Sequence, residues 1–450
     1  MNKSKLPNLD TCKVAILGLG YVGLPLAISI AKKKNCLITK NKLKRKVIAY
    51  DINRKRVTDL NRGFDKNNIF SKKILNNIKS LKFTSDIDAL INIDVFIVTV
   101  PTPINENNEP DLSFIKDASK NIGKCIKSSK KKNQIIIYES TVFPGATEEI
   151  CIPLIEKVSF KKYNSKNYHN SFYCGYSPER INPGDLNHKI ESIVKVTSGC
   201  NKKITTWIDK FYGSFITAGT FKVNSIKIAE AAKIIENTQR DINIALVNEL
   251  AILFRKMNIN TKEVLNAAST KWNFQKYRPG LVGGHCIGVD PYYLTYKAKE
   301  IGYDAKLISA GRNINDYMHK YLFEQILLNA QTINCKTENI SVLILGLSYK
   351  ENCPDIRNSK LISLIHCMNK KNMKVSIFDP IVDKNEVRNK TGLNILNSLP
   401  EKDKFSIIIF ALDHKVFRKI NAKKLNELKN DKGIIFDLTN RLNNSEILNI

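Results

Sequence analysis

The sequence predicts an α/β protein in which two parallel-sheet domains are joined by a helical middle section built on one long, buried helix. Three observations carry this reading. Short apolar runs alternate with helical patterns at both ends of the chain. A glycine-rich turn, Gly18-Leu-Gly20-Tyr-Val-Gly23, follows the first of those runs directly. In the middle, residues 225–257 contain neither Pro nor Gly and place apolar residues on nearly every helical face, the pattern of a helix enclosed by a larger protein. We place the divisions at 1–218, 219–325 and 326–450.

The N-terminal elements follow in order. Lys13-Val-Ala-Ile-Leu17 reads as a buried parallel strand, and the helix expected after the glycine turn covers residues 24–33. The next strand, Lys46-Val-Ile-Ala-Tyr50, ends on Asp51. Strand, glycine turn, helix, strand and acid together form the dinucleotide-binding βαβ unit of a Rossmann-like domain. In it, Gly18 permits the tight turn, Gly20 lets a pyrophosphate reach the backbone, and Gly23 lets helix and strand pack closely. The helix N-terminus offers N–H groups and the positive dipole end to phosphates. The Asp51 carboxylate can accept from a ribose hydroxyl and would repel a 2′-phosphate, so NAD is the expected cofactor. Arg54 and Arg56 lie just beyond and could blunt that preference. Asp51 stands further past Gly23 than the usual spacing, and the excess maps to the polar stretch 35–46, read as an exposed helix extension or a loop insertion. Further strands at 94–100, 134–138 and 173–176 each run into polar or turn residues, as at the carboxyl edge of an open sheet. The same alternation returns without the glycine motif at 340–346, 374–378, 405–410 and 433–437.

The chain has 72 Lys and Arg against 42 Asp and Glu, a formal net charge of +30. Such a balance raises nucleic acid or an anionic membrane as partners. The basic residues are scattered in short clusters with no nucleic-acid-binding motif among them, so neither partner is expected, although a basic surface suits an anionic substrate. No apolar run approaches the ~18–20 residues of a membrane span. The first ten residues lack the apolar stretch of a signal peptide, and a cytoplasmic protein is expected. Ten cysteines and six histidines form no metal-ligand spacing, so no metal is expected and most thiols should be buried and reduced.

Two places in the middle section stand out. Lys233 and Asn237 sit at i, i+4 on one face of the long helix. They are either functional groups or part of a solvated polar stripe with Glu230 and Asp241. The loop Arg278-Pro-Gly-Leu-Val-Gly283-Gly-His-Cys286-Ile-Gly-Val-Asp290 holds one Cys among glycines, with an Asp four residues on. A cysteine is more often an inert core residue than a nucleophile, but the flanking glycines let a substrate reach this sulfur. His285 next to it reads as a packing or backbone-bonding residue.

These motifs, with Pro101-Thr-Pro103, Glu139-Ser-Thr141, Ser177-Pro-Glu-Arg180, residues 230–237 and residues 346–359, resemble the UDP-glucose/GDP-mannose dehydrogenase family over nearly the whole chain. The Gly-Gly-His-Cys form of the loop is similar to the N-acetylhexosamine branch of that family, which serves capsule and O-antigen polysaccharide synthesis. The resemblance implies an N-terminal NAD-binding domain, a C-terminal UDP-binding domain, a homodimer, and oxidation of C6 of a UDP-sugar to a carboxylate with two NAD. UDP-N-acetylglucosamine is the expected substrate; UDP-N-acetylgalactosamine, UDP-N-acetylmannosamine and UDP-glucose are the alternatives. It makes Cys286 the covalent nucleophile, Lys233 and Asn237 the pair that stabilises developing negative charge, Asp290 a proton-handling acid, and Thr141 and Glu179 residues that position water for thioester hydrolysis. Gly18, Gly20, Tyr21, Val22, Gly23, Asp51, Arg56, Thr102 and Thr141 fall to the cofactor. Glu179, Arg180, Lys233, Asn237, Arg278, Gly283, Lys350 and Arg357 fall to the sugar nucleotide. Pro183 stands where some members carry a second acid, so that acid's hydrolytic role is expected to be absent or relocated. A non-catalytic, nucleic-acid-binding protein on a Rossmann scaffold is the reading from a different class, and the set Cys286, Lys233, Asn237 and Asp290 argues against it.

Overall fold

The computed structural model describes all residues except 1–5, 68, 166–169, 182–188, 333–336, 402, 440, 443–446 and 450; Pro183 lies outside the described residues. The chain folds as two units, one of Met1–Glu236 with Tyr292–Ile301 and one of Asn237–Pro291 with Gly302–Ile450.

In the first unit the strands are β1 (Lys13–Leu17), β2 (Lys46–Tyr50), β3 (Leu81–Thr84), β4 (Val95–Val98), β5 (Gln134–Tyr138), β6 (Lys162–Tyr163), β7 (Ser171–Tyr176), β8 (Lys195–Gly199) and β9 (Thr220–Lys222). They form one sheet in the order β3-β2-β1-β4-β5-β7-β8-β9, with β6 beside β7. Every pairing is parallel except β7 with β8. Residues on both faces of β1, β4 and β5 are buried, which explains why these strands read as continuous apolar runs and not as alternating ones. The strand order reverses between β1 and β4, and a crevice beyond the carboxyl ends of these two strands is where such sheets bind ligands.

The 35–46 stretch is a loop insertion. Asn35 and Lys42 form an antiparallel bridge, Leu37 N–H donates to the Ser214 carbonyl at 2.9 Å, and Cys36 and Leu43 are buried. It is tied down by two apolar side chains despite its polar composition.

In the second unit β10 (Ser341–Leu345), β11 (Lys374–Phe378), β12 (Phe405–Phe410), β13 (Lys429–Asp437) and β14 (Ile447–Asn449) form a parallel sheet in the order β11-β10-β12-β13-β14. Alternate residues of β10 feed two separate cores. Val342 and Ile344 pack with the helix Lys360–Lys370, and Leu343 and Leu345 pack with Phe410, Phe417 and Leu425. The reversal in strand order here lies between β10 and β12.

The long helix runs from Ile226 to Lys256. The absence of Pro and Gly lets it propagate, and Ser225 caps it, its Oγ accepting from the Ile228 N–H at 3.2 Å. One side is buried through Ile226, Ala229, Ile234, Ala245, Val247 and Ala251. Its other side leaves Ile228, Ile235, Leu246 and Leu253 about half exposed in a single chain. Among the described residues no helix is long and apolar enough to cross a membrane, and no group of three or more His, Cys, Asp or Glu could hold a metal ion.

Candidate active site

The first unit carries the glycine turn at the strand-order reversal. A Cβ on Gly23 would stand 1.8 Å from the Gly18 carbonyl oxygen, so no other residue fits there. A Cβ on Gly20 would meet nothing within 4 Å, which leaves the backbone open to a phosphate. The first helix, Gly23–Lys32, has no side-chain cap at its N-terminus. Its leading N–H groups and dipole therefore suit a pyrophosphate.

Asp51 Oδ2 accepts from the Leu19 N–H at 2.7 Å and Oδ1 from the Asn53 N–H at 2.9 Å. Arg56 is spent on the protein itself. Its Nε donates to the Leu19 carbonyl at 3.0 Å and its guanidinium pairs with the buried Asp65 at 2.8 Å. Two reasons thus work together against a 2′-phosphate: the acid is fixed in place and the nearby arginine is neutralised. We expect Asp51→Ala to weaken NAD binding about tenfold or more and to narrow the preference over NADP, measured as kcat/KM with each cofactor. Equal use of both cofactors by the unmutated protein would contradict this assignment.

Thr102 and Thr141 follow β4 and β5 at the same edge of the sheet. The Thr102 carbonyl accepts from the buried Tyr293 hydroxyl at 2.9 Å. Tyr21 and Val22 lie in the glycine turn. Glu179 is buried beyond the end of β7 and accepts from the Ile181 N–H. Burial pushes its carboxyl up from the usual range, against the opposing pull of Lys233 first, then of the Ile181 N–H and of Lys195. Arg180 pairs with Glu236 at 2.7 Å. Lys233 is 5 % exposed, so the solvated-stripe reading of the 233/237 pair fails. Glu230, on the same helix, is fully buried, its carboxylate accepting from the Gly145 and Thr147 N–H groups at 2.6 and 3.0 Å; burial first of all raises it to about 7.

The second unit gathers the cysteine loop. Cys286 is partly exposed, and its carbonyl accepts from the Asp290 N–H at 2.8 Å, a turn that leads into the helix Asp290–Glu300. Asp290 is 2 % exposed, and its Oδ2 accepts from Asn237 Nδ2 at 2.6 Å. Asn237 therefore orients the acid with one amide hydrogen and has a second to offer. Gly283 and Gly284 pack against the loop after β10. Gly284 has a φ of +86° and its absent Cβ would lie 2.6 Å from the Tyr349 ring, while Asn358 Nδ2 donates to its carbonyl at 3.1 Å.

Arg357 is clamped by Asp355, to which it donates from Nε at 3.0 and 2.9 Å and from Nη2 at 2.5 Å. Burial pushes Asp355 up, but the Arg357 hydrogen bonds and charge outweigh it and the carboxyl lies below its usual range. His285 Nδ1 is 3.2 Å from Arg357 Nη2, so the histidine joins the cysteine loop to this clamp. Lys350 lies in the same loop as Arg357. Arg278 precedes Gly280, whose N–H and carbonyl are both held by the Asn248 amide at 2.8 and 3.1 Å.

The structure thus groups Asn237, Gly283, Cys286, Asp290, Lys350 and Arg357 in the second unit. It groups the glycine turn, Asp51, Arg56, Thr102, Thr141, Glu179, Arg180 and Lys233 in the first. Sequence reasoning missed Asn248, Asp355 and the buried pair beneath Glu179. In that pair Lys195 Nζ donates to Glu139 at 2.7 Å and to the Pro178 carbonyl at 3.0 Å. A lysine flanked by Ile193, Val194 and Val196 at the start of β8 was the available signal.

Family models match in series. The NAD binding domain of the UDP-glucose/GDP-mannose dehydrogenase family matches residues 12–216, the central domain 227–317 and the UDP binding domain 343–444. The chain is 46% identical to the UDP-N-acetyl-D-glucosamine 6-dehydrogenase of Salmonella typhi, over 96% of each chain. It is 46% identical to the protein of that name from Pseudomonas aeruginosa, over 95% of this chain and 96% of the relative. Among solved structures, the UDP-D-ManNAc dehydrogenase of Pyrococcus horikoshii superposes with a TM-score of 0.83 at 28% identity, covering 97% of this chain and 99% of that one. On these matches the chain belongs to the UDP-glucose/GDP-mannose dehydrogenase family and is an NAD-dependent nucleotide-sugar dehydrogenase.

Proposed function

We propose that this enzyme oxidises C6 of UDP-N-acetylglucosamine to the carboxylate in two steps, through a covalent adduct on Cys286, for surface polysaccharide synthesis. The observation that carries the substrate is the 46% identity, over nearly full length, to two proteins of that name from different bacteria. The observation that supports the chemistry is the pairing of a partly exposed Cys286 with an Asn237-oriented Asp290 four residues on.

NAD, when bound at 18–23 and Asp51, supplies the acceptor for the two hydrides of the four-electron oxidation. The protein's own groups do the rest. The first oxidation removes a hydride and a proton from the C6 alcohol and leaves an aldehyde. The Cys286 thiolate adds to the aldehyde carbon, and the resulting thiohemiacetal gives up a second hydride and its hydroxyl proton to become a thioester. Water then adds, the thiol leaves, and the carboxylate is released. Lys233 and Asn237 stabilise the oxygen that gathers negative charge, Asp290 exchanges protons beside the sulfur, and Thr141 and Glu179 place the water. Arg180, Arg278, Gly283, Lys350 and Arg357 hold the sugar nucleotide.

The test is NADH formation with UDP-N-acetylglucosamine, UDP-N-acetylgalactosamine, UDP-N-acetylmannosamine and UDP-glucose, read as kcat/KM. UDP-N-acetylglucosamine should lead and give two NADH per sugar. UDP-N-acetylmannosamine is the second reading, favoured by the likeness to the Pyrococcus structure. Preference for any of the other three removes the substrate assignment, and no turnover of any removes the enzyme.

We further propose a cytoplasmic homodimer and a three-part division at 1–218, 219–325 and 326–450. Ile228, Ile235, Leu246 and Leu253 are 49, 56, 53 and 47 % exposed and recur at steps of seven, eleven and seven, one face of the long helix. An apolar stripe of this length is suited to a two-fold interface. Sizing with light scattering should give a dimer at micromolar concentration, and Leu246→Glu should shift it toward monomer. A monomeric unmutated protein would sink the proposal.

A further inference from the structure

The two sheets repeat one local device. After β1, Gly18 (φ +96°) donates its N–H to the Tyr50 carbonyl at 2.9 Å. After β10, Gly346 (φ +100°) donates to the Phe378 carbonyl at 2.9 Å. The acid that ends the second strand then holds two backbone amides in each case. Asp51 accepts from Leu19 N–H at 2.7 Å and Asn53 N–H at 2.9 Å; Asp379 accepts from Leu347 N–H at 2.7 Å and Ile381 N–H at 2.9 Å. The copies then diverge. Asp51 is partly exposed, as a ribose ligand must be. Asp379 is completely buried and also accepts from Ser348 N–H at 3.2 Å and His414 Nε2 at 3.3 Å. The second acid has become part of the scaffold.

His414 is itself completely buried, just beyond the end of β12 and thus at the strand-order reversal of the second sheet. Its Nδ1 accepts from the Asn352 N–H at 2.9 Å. That bond makes Nδ1 the acceptor and Nε2–H the donor to Asp379, which fixes the orientation of the ring. Asn352 is held a second time, its Oδ1 accepting from the Lys415 N–H at 2.8 Å. Between the two anchored ends, Ser348 Oγ donates to the Lys350 carbonyl at 2.9 Å. The loop 346–352 is therefore pinned at its start by Asp379 and at its end by His414, with Lys350 in the pinned span.

We infer that His414 is a positioning residue for nucleotide recognition: by bridging Asp379 and Asn352 it fixes the loop that presents Lys350 to the diphosphate of the UDP-sugar. The inference rests on the UDP-sugar reading. Holding an ordered loop before the ligand arrives reduces the entropy lost on binding, so its effect belongs in affinity for the nucleotide.

The two ring contacts can be separated. In His414→Gln the amide nitrogen falls near Nε2 and retains the donor to Asp379, while the acceptor for Asn352 is lost. In His414→Asn the side-chain oxygen falls near Nδ1 and retains that acceptor. We expect His414→Gln to weaken UDP binding by calorimetry about tenfold, and to raise KM for the sugar nucleotide more than it lowers kcat, with NAD affinity unchanged. His414→Asn should stay nearer the unmutated affinity even if it melts lower. Asn352→Gly, at a φ of +57° that glycine adopts freely, removes the Lys415 tie and should weaken UDP about threefold in a protein that folds whatever the His414 variants do. UDP affinity unchanged in both His414→Gln and Asn352→Gly would overturn the inference. So would equal losses of UDP and NAD affinity, which mark a general core role. An unmutated protein that binds NAD but not UDP defeats the UDP-sugar reading itself, a result distinct from either.

Discussion

Cys286→Ser should bind NAD and the UDP-sugar and yet fail to complete the four-electron oxidation, with a loss on the order of 10⁴-fold or more in steady-state turnover, within the range that deleting a covalent nucleophile costs. Binding rests on residues 18–23, Asp51, Lys350 and Arg357, none of which the substitution touches. The chemistry does depend on the sulfur. A serine hydroxyl is far less ionised than a thiol at neutral pH, and an ester is hydrolysed more slowly than a thioester, so the variant should stall before the second oxidation or as an ester adduct heavier by the sugar nucleotide. Intact-mass analysis with NADH counting separates these outcomes. Cys12, Cys125, Cys151 and Cys174 are buried, and burial above all pushes their thiols up, Cys12 and Cys125 to about 11 and Cys151 to about 12. Changed singly to Ala, each should still give two NADH per sugar and show only a loss of stability. Two-NADH turnover by Cys286→Ser at near-unmutated rate would remove the covalent mechanism.

Much of this arrangement was legible because it is local. The strands β1, β2, β5 and β12 announced themselves as apolar runs with the observed bounds, because a parallel strand buried on both faces needs nothing but apolar residues, while the edge strand β11, mostly half-exposed, was legible from the repeat of the N-terminal alternation. The glycine turn was legible because each glycine answers a backbone requirement that sequence spacing encodes. The long helix was legible in extent, but its apolar residues could not say which side another chain or another part of the molecule covers. Ile235 and Leu246 look no different in sequence from Ile234 and Val247, yet only the latter pair is buried in the single chain. What the sequence hid was every role made by distant pairs. Arg56 read as a residue free to tune cofactor choice; its pairing with Asp65 is made across a turn whose path no motif describes. Arg357 read as a residue for the sugar nucleotide, and its contact with His285 of the cysteine loop, 72 residues away, follows from no motif. Asp379 lies just past the strand at 374–378, and no motif shows its bond to His414, thirty-five residues on.

A second large effect concerns stability. Asp241 and Arg312 form an ion pair at 2.6 Å in which the side chains are 0 and 2 % exposed. Asn315 donates to the same carboxylate oxygen at 2.8 Å and accepts from Asn248, the residue that holds Gly280. Arg312 also reaches Asp316 at 2.7 Å. Burial raises Asp241 above the usual carboxylate range, with Arg312 the chief force opposing it. Arg312→Met should therefore leave a buried, ionised carboxylate with only Asn315 to support it, at a cost of about 3–5 kcal/mol. The sign with pH follows. The penalty falls on the charged form, and without Arg312 the carboxyl moves still higher, so the deficit should be greatest at neutral pH and shrink as acid protonates Asp241. Unlike a single truncation, Asp241→Leu combined with Arg312→Met removes both charges, while Asn315 keeps its bond to the residue 241 backbone carbonyl, made at 2.9 Å. The double variant should recover most of the loss. Urea unfolding followed by far-UV circular dichroism, at neutral and at mildly acid pH, measures all three proteins. A double variant as unstable as Arg312→Met would mean that the cost lies in the lost volume and packing of the arginine and not in the stranded charge.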